Sequence, residues 1–372
     1  MKLLRRLQTT SIAAVVVALA TACGSSAGPD GPGNEPLGLT PVAQTAEWPA
    51  STPAAEGLDA TRLTDVLNRI RRREYGSVHS LLVVRNERLV MEEYFDGFSA
   101  ATVHTQQSVT KSVTSLAAGL AVDRGLLRVS DRALSFFPDY APVAALDANK
   151  RALTVRDLLT MRTGLDWSEG VYDSSPLAQL NNCSCDWIRF VLDWAMREPP
   201  GTRFEYNSGG VILLGAIIGR AAGTRVDLLL EAELFRPLGF QNVQWYRGLP
   251  QGLPHTGGGL SLRPRDMAKL GTLVVTGGIW QGSAVLSETW IRVSTDTSGP
   301  ENGGLAGYAS TYGYLWWGLP GGVIAAAGAG GQWILVVPDR RLVLVSTANN
   351  TNENFGAAVR ILYDDVLPAA GP

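Results

Sequence analysis

Strand-patterned apolar runs occur near both ends of the chain, while the long middle carries helical periodicity. The run SLLVVRNERLVMEEYF predicts a β-hairpin, with Leu81 to Val84, a polar turn at Arg85-Asn86-Glu87, and Leu89 to Tyr94. Strands are expected again at Tyr312 to Trp317, Val323 to Ala327, Trp333 to Val337 and Leu342 to Thr347. The last three are set off by Pro320-Gly321-Gly322, Gly330-Gly331 and Pro338-Asp339-Arg340. Between them, helices are expected over 108–124, Val155–Met161, Trp187–Met196, Gly210–Ala222, Val226–Leu234 and Arg265–Val275. One more is expected near each end, over 59–73 and Asn354–Tyr363. This order predicts the α+β class: an antiparallel β-sheet built from both chain ends and flanked by helices, with an inserted mainly helical domain. The corresponding division is a sheet subdomain over 48–104 and 301–372 and a helical subdomain over 105–300, together one catalytic module.

With 372 residues, 45 % of them hydrophobic and 18 % charged, the chain can bury a substantial core. A formal net charge of −2 and the lack of a dense basic patch exclude nucleic acid as an expected partner. The arginines between Arg69 and Arg73 fit a solvated helix face. No internal repeat is visible.

Residues 1–22 read as a signal peptide: Lys2, Arg5 and Arg6, then the apolar run Ile12 to Leu19, too short to span a bilayer, then Ala20-Thr21-Ala22. Cys23 follows at once, a placement that resembles a bacterial lipobox with Ala20 where leucine is usual. Lipidation at Cys23 would make this an exported membrane lipoprotein facing outward; cleavage at the same site without lipid would make it secreted. The segment 23–47 is rich in Gly, Ser and Pro and is expected to be a flexible tether. It contains Gly24-Ser25-Ser26-Ala27-Gly28, which fits the G-x-S-x-G pattern but lacks the strand and helix that a nucleophile elbow requires. Cys183 and Cys185 are close enough to pair only through a tight ring, and sequence leaves both states open. A Cys-x-Cys metal site would need further ligands, and only His79, His104 and His255 exist, so neither a metal nor a cofactor is expected.

Only four of the 32 basic side chains are lysines, and one of them, Lys111, sits in the first turn of QQSVTKSVTSLAAGL, a segment apolar on nearly all sides. An isolated ammonium in such a helix is costly, and the usual relief is a lowered pKa and a neutral amine. Arginine could not respond in that way, because its guanidinium stays protonated. Ser108 lies one turn earlier on the same face, where the amine could activate its hydroxyl and where the helix N-terminus favours a developing oxyanion. The same tetrapeptide also fits an N-cap serine beside a snorkelling lysine.

Six segments in order widen the basis: EGLDATRL near Glu56, QSVTKSVTSL, LTVRDLLTMRTGLDW, RFEYNSGGVILLGAIIG, GGGLSLRPRDMAKLG and AAGAGGQWILVVPDRRLVLV. Over about residues 54–366 they resemble the serine β-lactamase and penicillin-recognising superfamily. The nearest likeness is to its class C-like branch of D-alanyl-D-alanine carboxypeptidases, esterases and 6-aminohexanoate-dimer hydrolase. The resemblance implies a serine hydrolase acting through an acyl-enzyme on an ester or amide, with Ser108 as nucleophile and Lys111 and Tyr206 relaying its proton. It also implies an oxyanion hole from the Ser108 and Ala329 amides beside Gly328, and a substrate contact at Ser208, which replaces the family's asparagine. Tyr172, in the loop after Trp167, would line the cleft. The family's Lys-Thr-Gly is Ala326-Ala327-Gly328 here, so strong penicillin recognition is not expected. The expected partner is a small-molecule or short-peptide substrate, with the membrane reached only through the lipid anchor. The competing reading is a non-catalytic surface lipoprotein that binds cell-wall peptides.

Overall fold

A computed structural model describes residues 38–45, 47–140, 147–169, 174–248, 251–302, 304–350 and 354–371. Cys23 and Tyr172 therefore lie outside the described residues. Seven strands form one sheet: β1 (Val78–Arg85), β2 (Arg88–Tyr94), β3 (Thr311–Tyr312), β4 (Trp317–Leu319), β5 (Val323–Gly328), β6 (Gln332–Val337) and β7 (Leu342–Ala348). Their order is β3-β4-β5-β6-β7-β1-β2, with every neighbour antiparallel. The two chain ends meet where β1 pairs with β7, Leu82 opposite Val345 and Val84 opposite Val343. The sheet assembled from both ends is thus present.

Alternation along each strand serves two cores. Leu82, Val84, Ile334, Val336, Val343 and Val345 face one hydrophobic cluster, while Leu81, Val83, Leu335, Val337, Leu342 and Leu344 face another. Because both faces are buried, the strands read as continuous apolar runs rather than as an apolar/polar alternation. Helix α1 (Ala60–Arg71), started by Asp59 accepting from the Thr61 and Arg62 amides, and the C-terminal helical run that begins with Ala357–Arg360 cover one face. The other face is covered by α2 (Val109–Asp123) and α4 (Pro264–Val275), with α3 (Ser208–Ala222) packed against α2, all from the middle of the chain. Residues Leu37–Pro372 form one compact unit.

Three expectations need correction. The stretch Tyr312 to Trp317 is not one strand but the hairpin β3–β4, with Leu315 at φ 62° in the turn; Leu315 and Trp316 are apolar because they fill the core, not because they extend a strand. The flexible tether does not run to residue 47: the Thr40 amide donates to Glu93 Oε1 at 2.7 Å, Leu39 and Val42 pack on the core, and Glu47 joins a buried ion cluster. Helices Pro176–Asn182 and Glu288–Ser294, each capped by the preceding serine, were not legible as periodic segments. Cys183 and Cys185 form a disulfide, their Cα atoms 5.2 Å apart.

Candidate active site

Ser108 occupies the N-cap position of α2, yet its side chain makes no capping hydrogen bond, so the hydroxyl is not consumed by the helix. The preceding backbone is held in an uncommon shape: Gln107 has φ 48°, a left-handed conformation that a non-glycine residue adopts only where its surroundings enforce it. Gln106 is fully buried and its amide donates to Leu260 O at 2.7 Å. From the other side β5 presses in at Gly328, where a Cβ would stand 2.2 Å from Gln106 O. Gly328 is therefore required for packing against the backbone before Ser108.

Lys111, on the next turn, is 1 % exposed and donates from Nζ to Ser108 Oγ at 3.0 Å and to Gly257 O at 2.6 Å. Its amine also lies 4.7 Å from the centroid of the Tyr206 ring. Burial lowers its pKa from 10.5 to about 8, against a smaller raising effect of the Glu169 charge. The Tyr206 phenol is pushed well above its usual range by burial; the adjacent Ser108 hydroxyl lowers it in part and Glu169 raises it. Its ring stacks on Trp317 of β4, centroids 5.8 Å apart. Ser108, Lys111 and Tyr206 thus converge, although nearly a hundred residues separate the third from the first two.

The strap 255–260 locks this convergence. Thr114 Oγ1 donates to Thr256 O, Thr256 Oγ1 donates to Val211 O of α3, and the Leu260 amide donates to Thr110 Oγ1. Gly257 packs on the start of α3, where a Cβ would stand 3.0 Å from Ser208 O, and turns its carbonyl onto Lys111. Sequence reasoning missed that acceptor, because a carbonyl's direction has no residue-type signature. Glu169 was missed as well. Its Oε1 accepts from the Ser208 amide at 2.6 Å and from Trp167 Nε1 at 2.7 Å, and its Oε2 accepts from Ser208 Oγ at 3.1 Å. The only sequence signal was an acid two residues after Trp167. Trp167 itself is fully buried, packed so closely on Gly209 that a Cβ there would stand 2.4 Å from its ring; it anchors the loop and does not line a cleft.

Two cavities meet at Ser108. One, of about 650 Å³, includes Gln107, Ser208, Gln244, Tyr246 and His255. The other, of about 330 Å³, includes Tyr206, Trp317, Ala327, Ala329 and Phe355. Ala329 follows β5 beside Ser108, and neither residue's amide donates to a backbone carbonyl among the described turns and loops. Ala326, at the position of the family's lysine, is fully buried in the helix-side core and brings no cation.

A family model described as Beta-lactamase matches residues 74–367. The chain belongs to the beta-lactamase family. Within that family it is 25 % identical over 351 residues to a 6-aminohexanoate-dimer hydrolase of Paenarthrobacter ureafaciens, covering 88 % of each chain. It is 27 % identical over 242 residues to the esterase EstB of Burkholderia gladioli, covering 58 % of this chain and 60 % of that one. A solved structure of a putative 6-aminohexanoate-dimer hydrolase from Bacillus anthracis superposes with a TM-score of 0.71 at 20 % identity, covering 88 % of each chain. Another, EstCE1, a hydrolase with promiscuous acyltransferase activity, gives 0.68 at 18 % identity over 82 % of this chain and 98 % of its own. The fold of these solved structures is the fold described above, and the family's relatives carry hydrolase and esterase names.

Proposed function

We propose that this protein is a serine hydrolase that cleaves an ester or amide through an acyl-enzyme. One observation carries the reading: a buried amine that no carboxylate touches among the described residues stands 3.0 Å from the Oγ of a serine whose hydroxyl makes no capping hydrogen bond. An amine with a pKa near 8 can hold a lone pair at neutral to mildly alkaline pH, which is what activation of a hydroxyl requires. In the proposed reaction the bond from Ser108 Oγ to the carbonyl carbon forms as its proton passes to the Lys111–Tyr206 pair. The amides of Ser108 and Ala329 face the oxyanion, and the leaving alcohol or amine departs with that proton. Water, deprotonated by the same pair, then attacks the acyl-enzyme and releases the acid. With alanine at the third-motif position, the cleft lacks the cation that would hold a penicillin carboxylate, so esters and linear amides are favoured over lactams.

The test is Ser108→Ala. Wild type is expected to hydrolyse a short-chain p-nitrophenyl ester and to label covalently with a fluorophosphonate probe, and the variant to do neither; equal labelling of both proteins would remove Ser108 from the mechanism. We also propose that the chain is exported and lipidated at Cys23. Mass spectrometry of the mature N-terminus decides this, an unmodified Cys23 sinking the anchor.

A further inference from the structure

The two cavities that meet at Ser108 differ in chemistry. The wall of the larger one includes a short three-stranded sheet of His104–Thr105, Leu260–Leu262 and Gln244–Trp245, in which Ser261 pairs with both Thr105 and Gln244. Residues paired across neighbouring strands share a sheet face, so three uncharged polar side chains stand in one row along this wall. His255 lines the same cavity beside them. Its imidazole Nε2 lies 3.0 Å from Asn181 Oδ1. Burial keeps that imidazole neutral. The hydroxyls of Thr105 and Ser261 and the side-chain amide of Gln244 can each donate and accept, so this wall offers a bound group both kinds of hydrogen bond. Neither cavity has a lysine, arginine, aspartate or glutamate among its described lining residues.

The smaller cavity is aromatic and apolar, with Leu305, Trp317, Ala327 and Phe355. It also contains Tyr206, which the larger one does not. A leaving alcohol must receive a proton as its bond to the carbonyl carbon breaks, and the phenol that would deliver it stands on the apolar side. The leaving group accordingly belongs in the apolar cavity and the acyl group in the polar one.

Resting on the hydrolase reading above, we propose that the larger cavity is the acyl site for an uncharged acyl group carrying both a hydrogen-bond donor and an acceptor, an amide or a hydroxyl. The apolar cavity takes an apolar alcohol or amine. The substrate class is thus a neutral ester or amide that is polar on its acid side and apolar on its leaving side.

Three p-nitrophenyl esters with the same leaving group test it: N-acetylglycinate, pentanoate, which has the same chain length without the amide, and the anionic hemisuccinate. With each kcat/KM divided by that ester's own hydroxide rate, N-acetylglycinate is expected to exceed pentanoate about tenfold, the size of one well-made hydrogen bond. Hemisuccinate should be the slowest of the three. Gln244→Leu keeps the size and removes the side-chain amide, and it should move the N-acetylglycinate to pentanoate ratio toward one. Pentanoate equal to or faster than N-acetylglycinate in wild type overturns the acyl assignment while Ser108-dependent hydrolysis stands. Hydrolysis of none of the three, with no fluorophosphonate labelling, overturns the hydrolase reading and this assignment with it. Because the wild-type panel decides alone, the outcome does not depend on the variant folding.

Discussion

Among the described residues two lysines are buried, Lys111 at 1 % exposure and Lys269 at 0 %, and their surroundings are opposite. Lys269, on α4, donates to Glu47 Oε1 at 2.7 Å and to Asp266 Oδ1 at 3.2 Å, inside a cluster that also holds Arg263 and Arg265. Among the described residues Lys111 has only neutral hydrogen-bond partners, a hydroxyl and a carbonyl, and the anionic influence on it, Glu169, acts without touching it. The comparison teaches that burial alone does not make a base. Countercharges turn a buried ammonium into a structural tie, here between the segment around Glu47 and the helix layer. Withholding the countercharge leaves an amine able to take up a proton.

The largest effects should separate the two sites completely. Lys111→Met is expected to lower kcat/KM on a p-nitrophenyl ester by about 10³-fold or more, the scale of a lost general base, with little change in melting temperature. Lys269→Met should do the reverse. Removing one member of a buried ion cluster leaves Glu47 and Asp266 undercompensated at a cost of about 3 kcal/mol, while the folded fraction retains its turnover. Paired thermal melts and initial rates check both. A Lys269 variant that is stable but inactive would collapse the distinction, as would a Lys111 variant that is active.

Titration sharpens the contrast further, because the two clusters respond at opposite ends of the pH scale. If the neutral amine is the base, kcat/KM rises with pH and is half-maximal near 8. Stability follows from the same shift: the folded pKa of Lys111 lies below the unfolded value, so between about 8 and 10.5 the unfolded chain binds more protons and stability increases with pH. At Glu47, burial raises the pKa, but hydrogen bonds and charges from Lys269 and Arg263 outweigh it and lower it from 4.5 to about 2. Its contribution is fully present above 4.5 and is lost as pH falls toward 2. Urea midpoints measured across pH should therefore lose the alkaline slope in Lys111→Met and the acid slope in Glu47→Gln. A pH–rate profile flat between 7 and 9 contradicts the proposed base.

What was legible in the sequence divides along the same physical line. The sheet from both ends was readable because Leu81–Val84, Trp333–Val337 and Leu342–Val345 are apolar without interruption, and only a doubly covered strand needs that. Ser108 and Lys111 were readable because local spacing places them on one helical turn. Tyr206 required the family resemblance, since nothing in its neighbourhood says which distant helix it will face. Gly257 and Glu169 were hidden for a related reason: one acts through a carbonyl and the other through contacts set by a loop path. Glu47 was lost in a run that reads as linker, because its partners are more than two hundred residues away.

The smallest expected effect concerns Glu169. Both hydrogen bonds to Oε1, from Trp167 and from the Ser208 amide, survive in Glu169→Gln, and the Ser208 hydroxyl at Oε2 can reverse and accept from the new amide nitrogen. The substitution thus removes the charge and leaves the scaffold. Because that charge raises the Lys111 pKa, its loss should move the rising limb of kcat/KM to lower pH, by about half a unit for a carboxylate that does not contact the amine. The phenol of Tyr206 should shift in the same direction, since Glu169 raises it too. A purely structural role would lower the plateau and leave the limb where it was. An upward displacement would mean that the ionising group in the profile is not the Lys111 amine, and the difference between the two buried lysines would then have to be explained without catalysis.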